Sequence, residues 1–429
     1  MRTSPTALAA LLVGLALYPT GLLQAGAALA PGGRTSWLTG LSAAGRTGYD
    51  TNVYGVDNAR TGEPVANHGV WTGSLGVRLG VSLSALLESP KDYLQVGYAP
   101  TAHWFRGAAT ENHTQHRFTL QSAGRRGDWS WSLDSAATRV NGSKDSLRFK
   151  AYNIFGMALV RDRRAQVQES GRAWVRYDGA GWFVRGAVGA QGNDFHTQHR
   201  APSGADVGWA NWVDRSDLNG GLDLGWKAGP ATSLHLGCRL GAQHQGTMPW
   251  MPKSSSNHYT RVLVGIESRP VKGLTCSLQA GPDYRRYAAA TQYLTDRTPV
   301  AWHYVGNVTA TLGRADTVTL GAKQERWLSS TGQSAYDAKT ISLAWRREFS
   351  EAWSLQISGQ LQQGKYPAPV VRDDVLRGGL AQLRWRATKQ IEITVEVAPQ
   401  AGGDLVDLPA TAGRGFRRTV VGLALHASR

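Results

Sequence analysis

Cysteine is nearly absent, with two in 429 residues. That scarcity excludes a disulfide scaffold. Charged side chains are thin at 18% of the chain, against roughly 25% in an average soluble protein. Beyond residue 27 no stretch approaches the ~20 consecutive apolar residues that a membrane helix needs, which excludes a helical membrane protein. Cations outnumber acids, 47 Lys and Arg to 31 Asp and Glu, for a net charge of +16. They are spread along the chain with no basic helix and no zinc pattern, so nucleic acid is excluded as a partner.

Catalytic constellations are lacking as well. His113-x-x-His116 and His196-x-x-His199 have no carboxylate or cysteine at ligand spacing. They read as polar loop residues, and neither a metal nor a cofactor is expected. His103, His235 and His303 have serines nearby, but nothing in the sequence gathers them into a triad. An enzyme is therefore not expected.

What is present is glycine (51), tryptophan (16) and alternation. The N-terminus comes first. Arg2, the apolar run 7–19 and the small residues Ala25-Gly26-Ala27 predict a cleaved signal peptide over 1–27. Residues 28–429 then form one domain. The segment 69–84, GVWTGSLGVRLGVSLS, sets Trp71, Leu75, Val77, Leu79, Val81 and Leu83 on one face and small or polar residues on the other. The same beat recurs in roughly eighteen segments to the end of the chain. Tight polar turns such as 124–128, 178–181 and 313–316 follow every second segment. Longer connections such as 51–68, 138–165 and 192–213 follow the others. Trp129, Trp182, Trp226, Trp353 and Trp385 lie beside the short turns, while Trp71, Trp104, Tyr284, Trp302 and Trp327 lie toward the long loops. Two aromatic belts, short turns at one end and long loops at the other predict a closed antiparallel transmembrane β-barrel of about 18 strands. An open edge is intolerable in lipid, so closure is required.

Three features run against the pattern. Pro100 and Pro282 fall inside strands and are expected to mark bulges or the parts of strands above the hydrocarbon. The chain ends LALHASR rather than on an aromatic residue. The apolar run 146–160 could be a further strand, but one more would break the even count, so it reads as part of a long loop.

The stretch GYDTNVYG, with Tyr49, Asp50 and Asn52, closes the first segment. It resembles the early Tyr-Asp-x-Asn signature of a family of outer-membrane β-barrel porins. The resemblance implies the cell outer membrane, no catalytic residues, and in some relatives a link to exopolysaccharide export. A barrel of this size leaves an aqueous channel. The expected function is thus passive diffusion of small polar or anionic solutes. A polysaccharide-secretion pore working with periplasmic partners is the alternative, and a barrel enzyme or plugged structural barrel the second. The surrounding partners would be outer-membrane lipid and lipopolysaccharide.

Strand parity points Arg78, Arg172, Arg176, Arg185, Arg239, Arg261 and Arg384 into the lumen as pore-lining residues. Asp134 is placed to offset Arg172 and Arg176, and Glu392 and Glu396 to offset Arg384 and Arg418. Arg78 and Arg239 have no inward acid on their own strands and are expected to set a mild anion preference. The loop 138–165 carries Phe149, Tyr152 and Phe155 and is expected to form a constriction at the mouth. Cys238 and Cys276 fall on the apolar face, two strands apart, too far for a disulfide.

Overall fold

The computed structural model describes residues 38–55, 69–83, 92–145, 163–201, 211–288, 296–332, 334–368, 370, 372–406 and 415–428. The expected signal peptide lies outside them. Eighteen strands follow in chain order: β1 (Leu38–Asp50), β2 (Val70–Ser82), β3 (Tyr93–Phe105), β4 (His113–Arg126), β5 (Trp129–Asn141), β6 (Gln166–Asp178), β7 (Trp182–Phe195), β8 (Arg215–Gly229), β9 (Thr232–Gln245), β10 (Asn257–Ser268), β11 (Leu274–Tyr287), β12 (Val300–Leu312), β13 (Asp316–Trp327), β14 (Tyr336–Glu348), β15 (Trp353–Lys365), β16 (Asp373–Arg386), β17 (Ile391–Asp404) and β18 (Phe416–Ser428). Each pairs antiparallel with its chain neighbours, and β1 pairs with β18 from Ser42–Ser428 to Asp50–Val420. The sheet therefore has no edge. The run 146–160 lies outside the described residues, between β5 and β6.

The register fixes the barrel's shape. Carried once around, it returns to β1 displaced by about 22 residues. With strands ~4.8 Å apart and ~3.3 Å per residue, that shear sets a tilt of about 40° and a Cα radius of about 18 Å. Left-handed glycines make the tight ends: Gly127 at φ 57° closes β4–β5 and Gly313 at φ 66° closes β12–β13.

Alternation inverts the rule of soluble proteins. On β8, Leu222 is 63% exposed while the next residue, Asp223, is fully buried. Leucines on the outer wall and carboxylates within fit lipid outside and a polar interior. Trp129, Tyr177 and Trp182 cluster at the short-turn rim, where Trp353 also stacks on Trp385. Tyr49 packs edge-on against Trp71 at the other rim. Trp327 departs from the expected belt: it lies opposite Tyr336 and packs inside the mouth beside Tyr336 and Tyr366.

The prolines make gaps rather than bulges. The β2–β3 ladder lapses between Gly76–Thr101 and Leu79–Tyr98, beside Pro100. The β10–β11 ladder lapses between Arg261–Asp283 and Val264–Ala280, beside Pro282. The β16–β17 ladder lapses beside Pro399 in the same way. Register is unchanged across each gap, so no residue has been inserted. Each ring removes a donor toward one neighbour and leaves the strand straight.

Candidate channel lumen and mouth

The register turns Arg78, Arg172, Arg176, Arg185, Arg239, Arg261 and Arg384 to the inner wall, and Leu79, Leu236 and Ile393 to the outer one. Most of the arginines are matched by acids. Asp223 bridges Arg185 at 2.8 Å and Arg239 at 2.6 Å. Glu267 bridges Arg185 at 2.6 Å and Arg176 at 3.6 Å. Arg176 also reaches Asp178, Arg261 pairs with Asp283 and Arg384 with Glu392. Arg239 is thus a neutralised cation: its acid comes from the neighbouring strand. Glu396 pairs with Arg46, not with Arg418, whose partner is Asp50. Asp134 accepts from Gln121 at 3.3 Å; it lies opposite Arg172 but does not form an ion pair with it.

Away from the short-turn rim, where Arg125 and Arg386 also lack an acid, three inward arginines have no acidic partner among the described residues: Arg78 on β2, Arg117 on β4 and Arg172 on β6. The continuous β2–β3 register sets Arg78 across from Ala99, and Ala99 is paired with Arg117. Allowing for the tilt, the three lie within about 6 Å of one height, near mid-barrel. Arg78 and Arg172 are exposed to the lumen. The wall across from them, β11 to β15, carries uncharged hydroxyls and amides at this level: Ser277, Asn307, Thr309, Thr319, Ser342 and Gln356. A recess of about 590 Å³ at the short-turn end is lined by Arg176, Lys227, Glu267, Ser277 and Asn307.

The mouth is narrowed by connections that lean inward. The ladder between β12 and β13 stops at Tyr304–Gln324, although both strands continue. Past that point the β13–β14 connection crosses toward β8–β11. Arg285 and Gln243 both donate to the Arg326 carbonyl at 3.1 Å. Arg215 donates to the Leu328 carbonyl at 2.9 Å, Gln245 to that of Ser329 at 2.6 Å, and the Val213 amide to that of Ser330 at 2.8 Å. Side chains thus replace the missing ladder. Trp212, 1% exposed, joins Val53, Tyr54, Phe105 and Phe195 in an apolar cluster that ties the β7–β8 connection to β1–β3. The expected constriction residues Phe149, Tyr152 and Phe155 lie outside the described residues.

The base of that same loop is placed. Arg163 donates to the Val53 carbonyl and lies 3.5 Å from Asp50 and 3.6 Å from Glu111. Arg164 pairs with Glu111, both buried. Burial and the neighbouring Arg418 lower the Arg163 pKa to about 10, which leaves it charged at neutral pH. Asp50 takes a double hydrogen bond from Arg418 of β18, at 2.9 and 2.7 Å. Asn52 donates from its side chain to the Arg417 carbonyl at 3.0 Å and accepts from the Gly55 amide at 3.1 Å. Asp50 and Asn52 therefore form a clasp, while Tyr49 beside them faces outward onto Trp71. The clasp joins the first strand to the last and holds the base of the β5–β6 connection. The sequence marks the motif, but nothing in it pairs Asp50 with residues 113 and 368 positions away.

No family model matches the chain, and no curated protein matches it. Among solved structures it is similar to Pseudomonas aeruginosa OccK2 (OpdF) in complex with glucuronate, at 12% identity over 91% of this chain and 98% of that one, with a TM-score of 0.44. It is similar to a BenF-like porin from Pseudomonas fluorescens Pf-5, at 11% identity over 91% and 98%, with a TM-score of 0.44. For Acinetobacter baumannii OccAB3 the figures are 10% identity, 91% and 99%, and 0.42.

Proposed function

We propose that this barrel is an outer-membrane channel for passive diffusion of small, polar, anionic solutes. We read it with porins of the Tyr-Asp-x-Asn type; in this chain Asp50 and Asn52 form the closing clasp. The observation that carries the reading is the set of three unpaired arginines, Arg78, Arg117 and Arg172, facing a wall of hydroxyls and amides. Fixed positive charge in a low-dielectric passage concentrates anions, and neutral donors and acceptors opposite replace a solute's water without holding it fast. The string from Lys227 through Asp178, Arg176, Glu267, Arg185 and Asp223 to Arg239 alternates in sign and contributes little field at a distance. Connections meeting over the mouth weigh against a wide secretion pore.

Reversal potential in a salt gradient across a planar bilayer tests this. The parent channel should prefer anions. The preference should fade from 0.1 M to 1 M salt as the screening length falls from ~10 Å to ~3 Å. Arg78→Gln, Arg117→Gln and Arg172→Gln together should abolish it. A cation-selective parent, or a triple variant that keeps its anion preference, ends the reading.

A further inference from the structure

The aromatic belt at the long-loop rim is interrupted. Tyr49, Trp71 and Trp104 cover β1–β3, and Tyr284 and Trp302 cover β11–β12, all exposed on the outer wall. From β14 to β18 the outward positions at that level are Lys339, Gln363, Arg377, Ala401 and Arg417. Lys339, Arg377 and Arg417 are exposed and have no acidic partner among the described residues. The outward acids nearby are engaged elsewhere: Asp337, two residues from Lys339, pairs with Arg326 at 2.7 Å, and Asp373 lies opposite Lys365 and accepts from Gln363 at 2.9 Å.

The two arginines are placed with care. Arg377 pairs with Ala401, and Ala401 with Arg417, so they stand in one cross-strand row with only a methyl between them. Their backbones are about 10 Å apart, within the combined reach of two guanidinium groups. One step below, the row is small: Gly359 pairs with Gly379, and Pro399 with Thr419. Below that come Ile357, Ala381, Val397 and Val421, then Leu355, Leu383, Val395 and Leu423. A cationic shelf thus stands over a shallow groove that opens onto aliphatic wall.

We infer that β16–β18 hold a phosphorylated glycolipid of the outer leaflet. Arg377 and Arg417 would take one phosphate between them, Lys339 a second charge, and an acyl chain would lie in the Gly379–Pro399 groove. Guanidinium forks match phosphate oxygens two by two, and a headgroup layer supplies counter-charge to outward cations that have no acid among the described residues. A second copy of this chain is a poorer occupant, because a self-complementary contact would set the arginines against each other. The inference concerns the outer wall and stands apart from what passes through the lumen.

Native mass spectrometry of the delipidated barrel in detergent tests it, with bisphosphorylated lipid A and its dephosphorylated form as probes. The parent should retain the phosphorylated form at least about tenfold better. Arg377→Gln with Arg417→Gln should remove that preference, while Arg377→Lys with Arg417→Lys, which keeps the charge but not the forks, keeps part of it, and Arg286→Gln on β11, elsewhere on the rim, leaves it intact. Equal retention of the two probes by the parent overturns the inference. So does a glutamine pair that binds like the parent, or one whose lipid-free mass falls from oligomer to monomer. Heat-shifted gel mobility confirms a closed barrel in each variant. If the glutamine pair does not close, the lysine pair and the two probes on the parent decide.

Discussion

At the scale of the residue, one carboxylate carries a large share of the mouth. Asp50 is 1% exposed and faces Arg418 and Arg163. Removing one partner of a buried pair leaves the other charge without compensation, at a cost of about 3–5 kcal/mol. Asp50→Asn should therefore lower the urea midpoint for loss of the heat-shiftable closed form. Arg163→Gln should leave that midpoint nearer the parent's, because Arg163 lies outside the β1–β18 seam. If Asp50→Asn unfolds like the parent, the clasp contributes nothing to closure. Arg239 and Arg78 show why neighbours matter more than sequence position. Both are inward arginines with no acid on their own strand, yet Asp223 from β8 neutralises only Arg239.

At the scale of the element, the β13–β14 connection leans inward and is tied across to β8–β11. The Arg326 carbonyl at the end of β13 is pinned by Gln243 and Arg285, and the Leu328 and Ser329 carbonyls beyond it by Arg215 and Gln245, donors on β8, β9 and β11. Five directed bonds, counting the Val213 amide, hold a short segment over the lumen. Arg215→Met with Gln245→Leu removes two of these donors without removing any backbone. Single-channel recordings should then show higher conductance and more frequent transitions. An unchanged, quiet trace would mean that this connection does not narrow the passage. The β12–β13 ladder ends early for the same reason: β13 cannot pair outward with β12 and lean inward at once.

At the scale of the whole molecule, closure and shear decide the two faces. Cysteine placed at position 78 should react with a water-soluble maleimide, and cysteine at 79 or 236 should not. The Leu79 and Leu236 side chains lie on the outer wall, among Val77 and Leu240. The reverse pattern would turn the barrel inside out.

The sequence by itself determined the strands, their number and the two faces, because a period of two is a local property of eighteen short runs. It determined the end with long connections, and it marked Tyr49, Asp50 and Asn52. Parity alone set each lumenal arginine on its wall. Only the tertiary structure decided which of those charges survive. Pairing depends on which acid on an adjacent strand falls opposite, and that is set by register, which turns and closure fix together. The prolines are a smaller case. Their positions were plain, but straight gaps rather than bulges follow from a register held on the other side of the strand. The mouth was hidden most fully. Trp327 reads as a belt residue by spacing, although its parity with Thr319 turns it inward; what no local pattern encodes is the bend of the strand end toward donors on β8–β11, contacts between positions far apart in the chain.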